Sequence, residues 1–211
     1  MAGEEGRELP IFELPAVILP GELMPLHIFE ERYKRMIGHC VDAEEPFGIV
    51  FRDDEGSARR IGCTATVTEV TETFDDGRMN VVVTGGEPFR VLDRFEASEY
   101  PSGEVEPIDV STETTGEPGD DADLARDAFA QLVERVSGEP LDEGQIAGDD
   151  AYAIAARVEL PAETKQRLLE LRSEPERMRV LGNALRALVD AVDRSQEVAE
   201  RARMNGKVIV G

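Results

Sequence analysis

Apolar residues in the first hundred positions come in short runs separated by turn-forming clusters, the spacing of a small β-rich domain. Pro46-Phe47-Gly48-Ile49-Val50-Phe51 is almost wholly apolar and is closed by the polar run at 52–56, which predicts a buried strand. Residues 63–72 alternate apolar or small residues with Thr and Glu. Asp75-Asp76-Gly77 has turn chemistry, since glycine supplies the positive φ of a tight hairpin, and residues 79–84 return as the partner strand. Gly85-Gly86 is expected to break that strand, with Phe89-Arg90-Val91-Leu92 starting another. Short strands at hairpin spacing favour a barrel or a curled mixed sheet. One helix interrupts them: Phe29, Tyr33, Met36, Ile37 and Cys40 recur at helical spacing, while Glu31, Arg32 and Arg35 fall on the other face. The strands are expected to close against that apolar stripe.

A different pattern begins after residue 110. Residues 111–123 are Thr, Glu, Gly, Pro and Asp with almost nothing apolar, the composition of a surface linker. Beyond it, 124–136 has a helical period, 138–149 reads as a loop, and 151–158 restarts a helix. Pro161 suits a first helical turn, and 163–171 carries the apolar pair Leu168 and Leu171. Ser173 or Glu174, before Pro175, opens a last helix with Met178, Leu181, Leu185, Leu188, Val189 and Val192 on one side. The division is thus a β-rich domain at 9–110, a linker at 111–123, a helical bundle at 124–204 and a short tail at 205–211.

Composition narrows the setting. The chain has 211 residues, 41% hydrophobic and 32% charged, and no apolar run approaches the ~20 residues of a membrane span. Glu4, Glu5 and Glu8 stand where a secretory signal would carry basic residues, so the expected location is cytoplasmic. In that compartment Cys40 and Cys63 stay reduced and read as small buried hydrophobes. The formal charge of -22 argues against nucleic acid and against anionic membranes, both of which call for clustered Lys and Arg.

Candidate chemistry is sparse. His27, His39, Cys40 and Cys63 are ligand types for zinc, yet adjacent His39 and Cys40 diverge on a helix and no Cys-x-x-Cys pair exists, so no metal is expected. Acidic pairs such as Asp53-Asp54 and Asp149-Asp150 lack the Asp-x-Asp-x-Asp-Gly pattern of a calcium loop. No cofactor motif is present, and the phosphate-binding pattern Gly-x-x-x-x-Gly-Lys-Ser/Thr is absent.

An ordered series of motifs carries more. Leu14-Pro15, Val17-Ile18-Leu19-Pro20-Gly21, Met24-Pro25-Leu26-His27-Ile28-Phe29-Glu30-Glu31-Arg32-Tyr33, Arg60-Ile61-Gly62-Cys63 and Asp76-Gly77-Arg78-Met79-Asn80-Val81-Val82-Val83-Thr84-Gly85 follow one another. That series resembles the amino-terminal substrate-binding domain of the Lon proteases. Val158-Glu159-Leu160-Pro161-Ala162-Glu163-Thr164-Lys165-Gln166-Arg167-Leu168-Leu169, followed by Pro175-Glu176-Arg177-Met178, is similar to the helical part of the same domain. Together they span residues 9–193, with 111–150 poorly matched. The resemblance implies an α+β fold, a PUA-like β-barrel domain followed by a C-terminal helical bundle. In it Pro20 and Gly21 would set a turn, Gly62 and Gly85 would allow close backbone approach, and Phe29 and Tyr33 would fill a core.

The ATPase and Ser-Lys protease modules of a full Lon have no counterpart among these motifs, so catalysis is not expected. The implied function is a non-catalytic module that binds unfolded or degron-bearing polypeptides in a groove between barrel and bundle, as an adaptor in protein quality control that could work with a separate protease. The alternative is a small molecule or modified residue in a barrel pocket. Glu31, Arg32 and Arg35, on the outer face of the first helix, are the candidate binding residues, set against the plain reading of a solvated helix face with ion pairs.

Overall fold

The computed structural model describes residues 6–95, 99–109 and 120–205. Six strands come first: β1 (Arg7–Leu14), β2 (Leu23–Ile28), β3 (Phe47–Arg52), β4 (Ala58–Thr73), β5 (Met79–Phe95) and β6 (Ser102–Pro107). Helix α1 (Glu31–Ala43) lies between β2 and β3. The helices α2 (Asp120–Ser137), α3 (Ala151–Ala155), α4 (Ala162–Glu170) and α5 (Glu174–Asn205) follow, with a 3-10 turn at Glu143–Gln145 in the stretch read as a loop.

The strands are ordered β2-β5-β4-β3-β1-β6, and β6 pairs again with β5. Five strands therefore close a ring, with β2 attached to the first half of β5. β1 and β3 run parallel, a pairing that cannot be made by a hairpin and that the β2–α1 crossover makes possible.

Gly85-Gly86 does not end a strand, contrary to the expectation from sequence. β5 runs through both glycines, pairing with β2 before them and with β6 after them, while β4 follows it along both halves. Glycine serves here as a bend that closes the ring. A Cβ at Gly85 would stand 2.0 Å from the Leu19 carbonyl oxygen, and one at Gly62 2.4 Å from that of Ile49. The 75–77 hairpin forms as read, with Gly77 at φ 79° and its N–H donating to Phe74 O at 2.9 Å.

Burial divides the apolar residues into two cores. Leu9, Ile11, Val50, Phe89, Val91 and Val105 form a small cluster of their own, drawn from strands of the ring. The larger cluster runs from β1, β3, β4 and β5 through α1 to α2–α5. Because β3 contributes to both, its first five residues are all buried, which accounts for its unbroken apolar run. The barrel and the bundle share one core across the change in composition. Residues 110–119 of the expected linker lie outside the described residues, and Asp120–Asp123 already form the first turn of α2, where three acidic side chains suit the helix N-terminus. Of the expected tail, 206–211 lie outside the described residues.

The stripe on α1 is buried at Tyr33, Met36, Ile37 and Cys40 but not at Phe29. Phe29 precedes the N-cap Glu30, so its backbone is not helical and its ring is not turned to the core; it is 60% exposed. Helix α3 is shorter than read, and Pro161 caps α4 from just outside it rather than from its first turn.

α2 and α5 run in the same direction. Gly182 meets Ala125 near one end, and Arg135 pairs with Asp193 at 2.8 Å near the other. The start of α5 is pinned by Arg177, only 1% exposed. Its Nε donates to Glu174 at 2.8 Å, its Nη1 donates to Leu171 O at 2.8 Å, and its guanidinium lies 4.9 Å from the Tyr152 ring centroid. Glu174 in turn accepts from the Ala151 N–H, so one buried charge pair ties α3, α4 and α5 together.

Candidate binding surfaces

The outer face of α1 is exposed at Glu31, Arg32 and Arg35. Glu31 pairs with Lys34 at 2.9 Å and lies 3.7 Å from Arg35, and the Lys34 ammonium bonded to it holds its carboxyl below the usual range. Arg32 turns the other way, to Glu30 at 2.9 Å and over the Tyr33 ring at 4.5 Å. The three residues therefore do not act as one group. Glu31 and Arg35 belong to an ion-pair row on solvated helix, while Arg32 stands at the rim of a cavity.

A second surface grows from the Leu19–Glu22 corner. Glu22 N–H donates to Leu19 O at 3.0 Å with Gly21 at φ 74°, a turn in which proline sets the first central residue and glycine supplies the positive φ of the second. The turn is clamped to the bend of β5: Gly21 N–H donates to Gly85 O at 2.8 Å, and Gly85 N–H donates to Glu22 O at 2.9 Å. Glu22 also accepts from the Leu19 N–H and from Lys165 Nζ on α4, both charged side chains being mostly buried. Beside it Gln166 donates to Ile61 O at 3.1 Å, and Arg59 pairs with Glu163 at 3.0 Å. The Lys-Gln of the sequence motif is thus the seam between barrel and bundle.

That clamp holds one wall of a groove of about 590 Å³ between the corner and α3. Pro20, Gly21 and Leu23 line it from the barrel, and Tyr152, Ala153 and Ala156 from the bundle. Leu23 is 65% exposed and opens β2, which pairs with β5 alone and exposes Leu23, Pro25 and His27 on alternate positions. Phe29 continues that alternation just past the strand, its ring 5.9 Å from His27, and His27 lies edge-on to Phe74 at 6.2 Å. Leu23 and Phe29 are six residues apart, about 20 Å along an extended chain. The alternation is hard to read in the sequence, because two of the three outward residues, Leu23 and Pro25, are apolar.

A third feature occupies the end of the barrel where β1, β3 and β5 stop. A cavity of about 510 Å³ is lined by Ile11, Tyr33, Phe95, Tyr100 and Pro101, with Arg52 and Arg94 on Glu13 and Arg32 at its rim. Arg52 and Arg94 each donate to one oxygen of Glu13, and Arg94 also donates to Arg59 O at 3.0 Å. Glu13 makes the Arg52 guanidinium still harder to deprotonate, and burial pushes the Tyr33 hydroxyl up.

The two thiols are inert. Both are buried and unpaired, and loss of solvation raises Cys40 to about 11 and Cys63 to about 12. His27 bonds Asn80 at 2.6 Å and His39 lies 3.8 Å from Glu45. Among the described residues no group of three or more His, Cys, Asp or Glu side chains is placed to hold a metal, and no helix is long and apolar enough to cross a membrane.

The family model for the ATP-dependent protease La (LON) substrate-binding domain matches residues 8–187. The chain belongs to this Lon substrate-binding domain family. Its α+β fold agrees with solved members: a Lon N-terminal domain protein from Xanthomonas campestris superposes with a TM-score of 0.61 at 23% identity, over 82% of this chain and 95% of that one. The N-terminal domain of a Mycobacterium avium complex Lon protease gives 0.62 at 18% identity, over 85% of this chain and 98% of that one. Among curated relatives, the Lon protease of Paraburkholderia phytofirmans is 24% identical over 210 residues, and that of Anaeromyxobacter dehalogenans 26% over 193. These matches cover 92% and 82% of this chain but only 26% and 22% of the relatives, so the Lon substrate-binding domain found here spans about a quarter of their length.

Proposed function

We propose that this chain is a non-catalytic recognition module for protein substrates in the cytoplasm, holding unfolded or degron-bearing polypeptides and presenting them to a separate protease. One observation carries the reading: two large apolar side chains, Leu23 and Phe29, are held out to solvent at either end of a single edge strand, with a groove beside the first. What sets these two apart from other exposed apolar residues is that they flank one edge strand beside a groove, and their spacing suits an extended segment of about six residues. The clamp at Leu19–Glu22 keeps the first anchor in place, so little ordering cost falls on the protein when a chain binds. A ligand within the barrel is less favoured, because the ring strands' own cluster of Leu9, Ile11, Val50, Phe89, Val91 and Val105 is already buried.

The test is capture of a fluorescently labelled, permanently unfolded protein, measured by anisotropy, with the natively folded form of the same protein as control. Capture of the unfolded form alone is expected, weakened ~10-fold or more by combined Leu23→Ser and Phe29→Ser, since each removes an anchor worth roughly 1 kcal/mol or more. Equal binding by the variant would reject the surface, and no binding by the wild type would reject the function.

A further inference from the structure

The cavity at the barrel end gathers several arginines. Three arginines line it against two glutamates, Glu13 and Glu99, in a chain whose formal charge is -22. Its floor is apolar and already packed, with Ile11 and Tyr33 buried and the Tyr33 ring tilted against Phe12 at 4.0 Å between centroids, while Phe95 and Tyr100 leave apolar surface free at its side. Glu13 is mostly buried and shared between Arg52 and Arg94, so two guanidinium groups converge on one carboxylate. Arg32, the third, is paired with Glu30, which lies outside the cavity lining. Arg52 bonds Glu13 through a single terminal nitrogen and remains half exposed, which leaves planar donors facing the cavity.

We infer that this cavity binds the last residue of a polypeptide, taking a free α-carboxylate on Arg32 and Arg52 and an apolar or aromatic side chain against Phe95 and Tyr100. The geometry distinguishes a chain end from an internal acid. At a C-terminus the carboxylate and the side chain branch from the same carbon, matching an arginine rim and an apolar wall inside one cavity of about 510 Å³. In an extended internal segment an acidic residue and its apolar neighbour point to opposite faces. Glu13 has a defined part in this site: it orients Arg52 and Arg94 while the cavity is empty and competes with the incoming carboxylate. The inference deepens the substrate-recognition reading and rests on it, naming a terminal carboxylate as one of the features recognised.

The experiment uses the whole chain and a fluorescein-labelled hexapeptide ending in phenylalanine, in three forms: free carboxylate, C-terminal amide, and amide with an internal glutamate. The free acid should bind at least ~10-fold tighter than either amide at low salt, the difference expected for one charge-assisted bidentate contact, and should weaken in 0.5 M NaCl. Arg32→Ala, which removes a half-exposed side chain, should weaken the free acid severalfold and leave the amide unchanged. Glu13→Gln should tighten the free acid, an effect that a purely structural Glu13 would not produce; thermal unfolding of both variants confirms that they are folded. Equal binding of acid and amide, an internal glutamate that binds as well as the terminus, an Arg32→Ala variant that behaves as wild type, or an unchanged or weakened Glu13→Gln would each overturn the inference. Retained capture of unfolded protein through Leu23 and Phe29 would then show that this cavity, and not the substrate-recognition reading, was at fault.

Discussion

Replacing Lys165 by methionine tests how the barrel and the bundle are joined. The ammonium of Lys165 on α4 bonds Glu22 Oε1, while Glu22 Oε2 accepts the Leu19 N–H at 2.9 Å. Side-chain exposures are 11% for Lys165 and 12% for Glu22, so little solvent is available to replace a lost partner. Methionine fills the volume of the lysine stem but leaves the carboxylate with one neutral donor in a poorly solvated site. Breaking a buried pair from one side costs roughly 3–5 kcal/mol. For a chain of this size each kcal/mol lowers Tm by about 2–4 °C, so a fall near 10 °C is expected.

The decisive comparison is a double variant with Glu22→Gln added. Glutamine keeps an oxygen for Leu19 N–H and carries no charge, so the double variant should recover half or more of the loss, a coupling of at least ~1.5 kcal/mol. Urea unfolding followed by circular dichroism reads both. A loss under ~1 kcal/mol for Lys165→Met, or losses that simply add, would show that the pair does not hold the seam. Because Glu22 also forms the groove wall, Lys165→Met should weaken capture of unfolded protein at temperatures where it is still folded.

Other consequences follow from single positions. Gly85→Ala sets a Cβ 2.0 Å from the Leu19 carbonyl oxygen, and neither backbone can retreat from the paired hydrogen bonds, so a loss of about 3 kcal/mol in chemical unfolding is expected. Leu168→Ala, in the fully buried face of α4, should cost ~2–5 kcal/mol by cavity formation, read as a shift of the urea midpoint at constant slope. The thiols predict a pH effect whose sign is set by burial. Unfolded cysteines ionise near pH 8.5, whereas Cys40 and Cys63 stay protonated until about 11 and about 12. Between those values the unfolded chain has released protons that the folded chain retains, so stability falls as pH rises through that window. In the folded protein at pH 8, iodoacetamide should label either thiol at least ~100-fold more slowly than in urea.

Much of the architecture was legible along the chain. Local period and turn chemistry identified the buried strand at 46–51, the hairpin at 75–77, the stripe on α1 apart from Phe29, and the helices of the bundle, because those signals depend on residues a few positions apart. The motif series also pointed to the Lon substrate-binding domain. Of the candidate residues, Glu31, Arg32 and Arg35 were correctly seen as exposed. Only their side-chain partners in the folded chain separated Arg32, at the cavity rim, from the ion-pair row of the other two.

Long-range pairing decided the rest. Whether Gly85-Gly86 ends a strand or bends one depends on β2 and β6 arriving on either side, and those partners are distant in sequence. Whether Lys165 is a solvated helix residue or a buried clamp depends on Glu22, 143 positions away. The same holds for Glu13, whose arginines come from two other strands. Periodicity records which face of an element is dry, a property of neighbours on that element; which side chains meet across the dry face is set only when the ring closes.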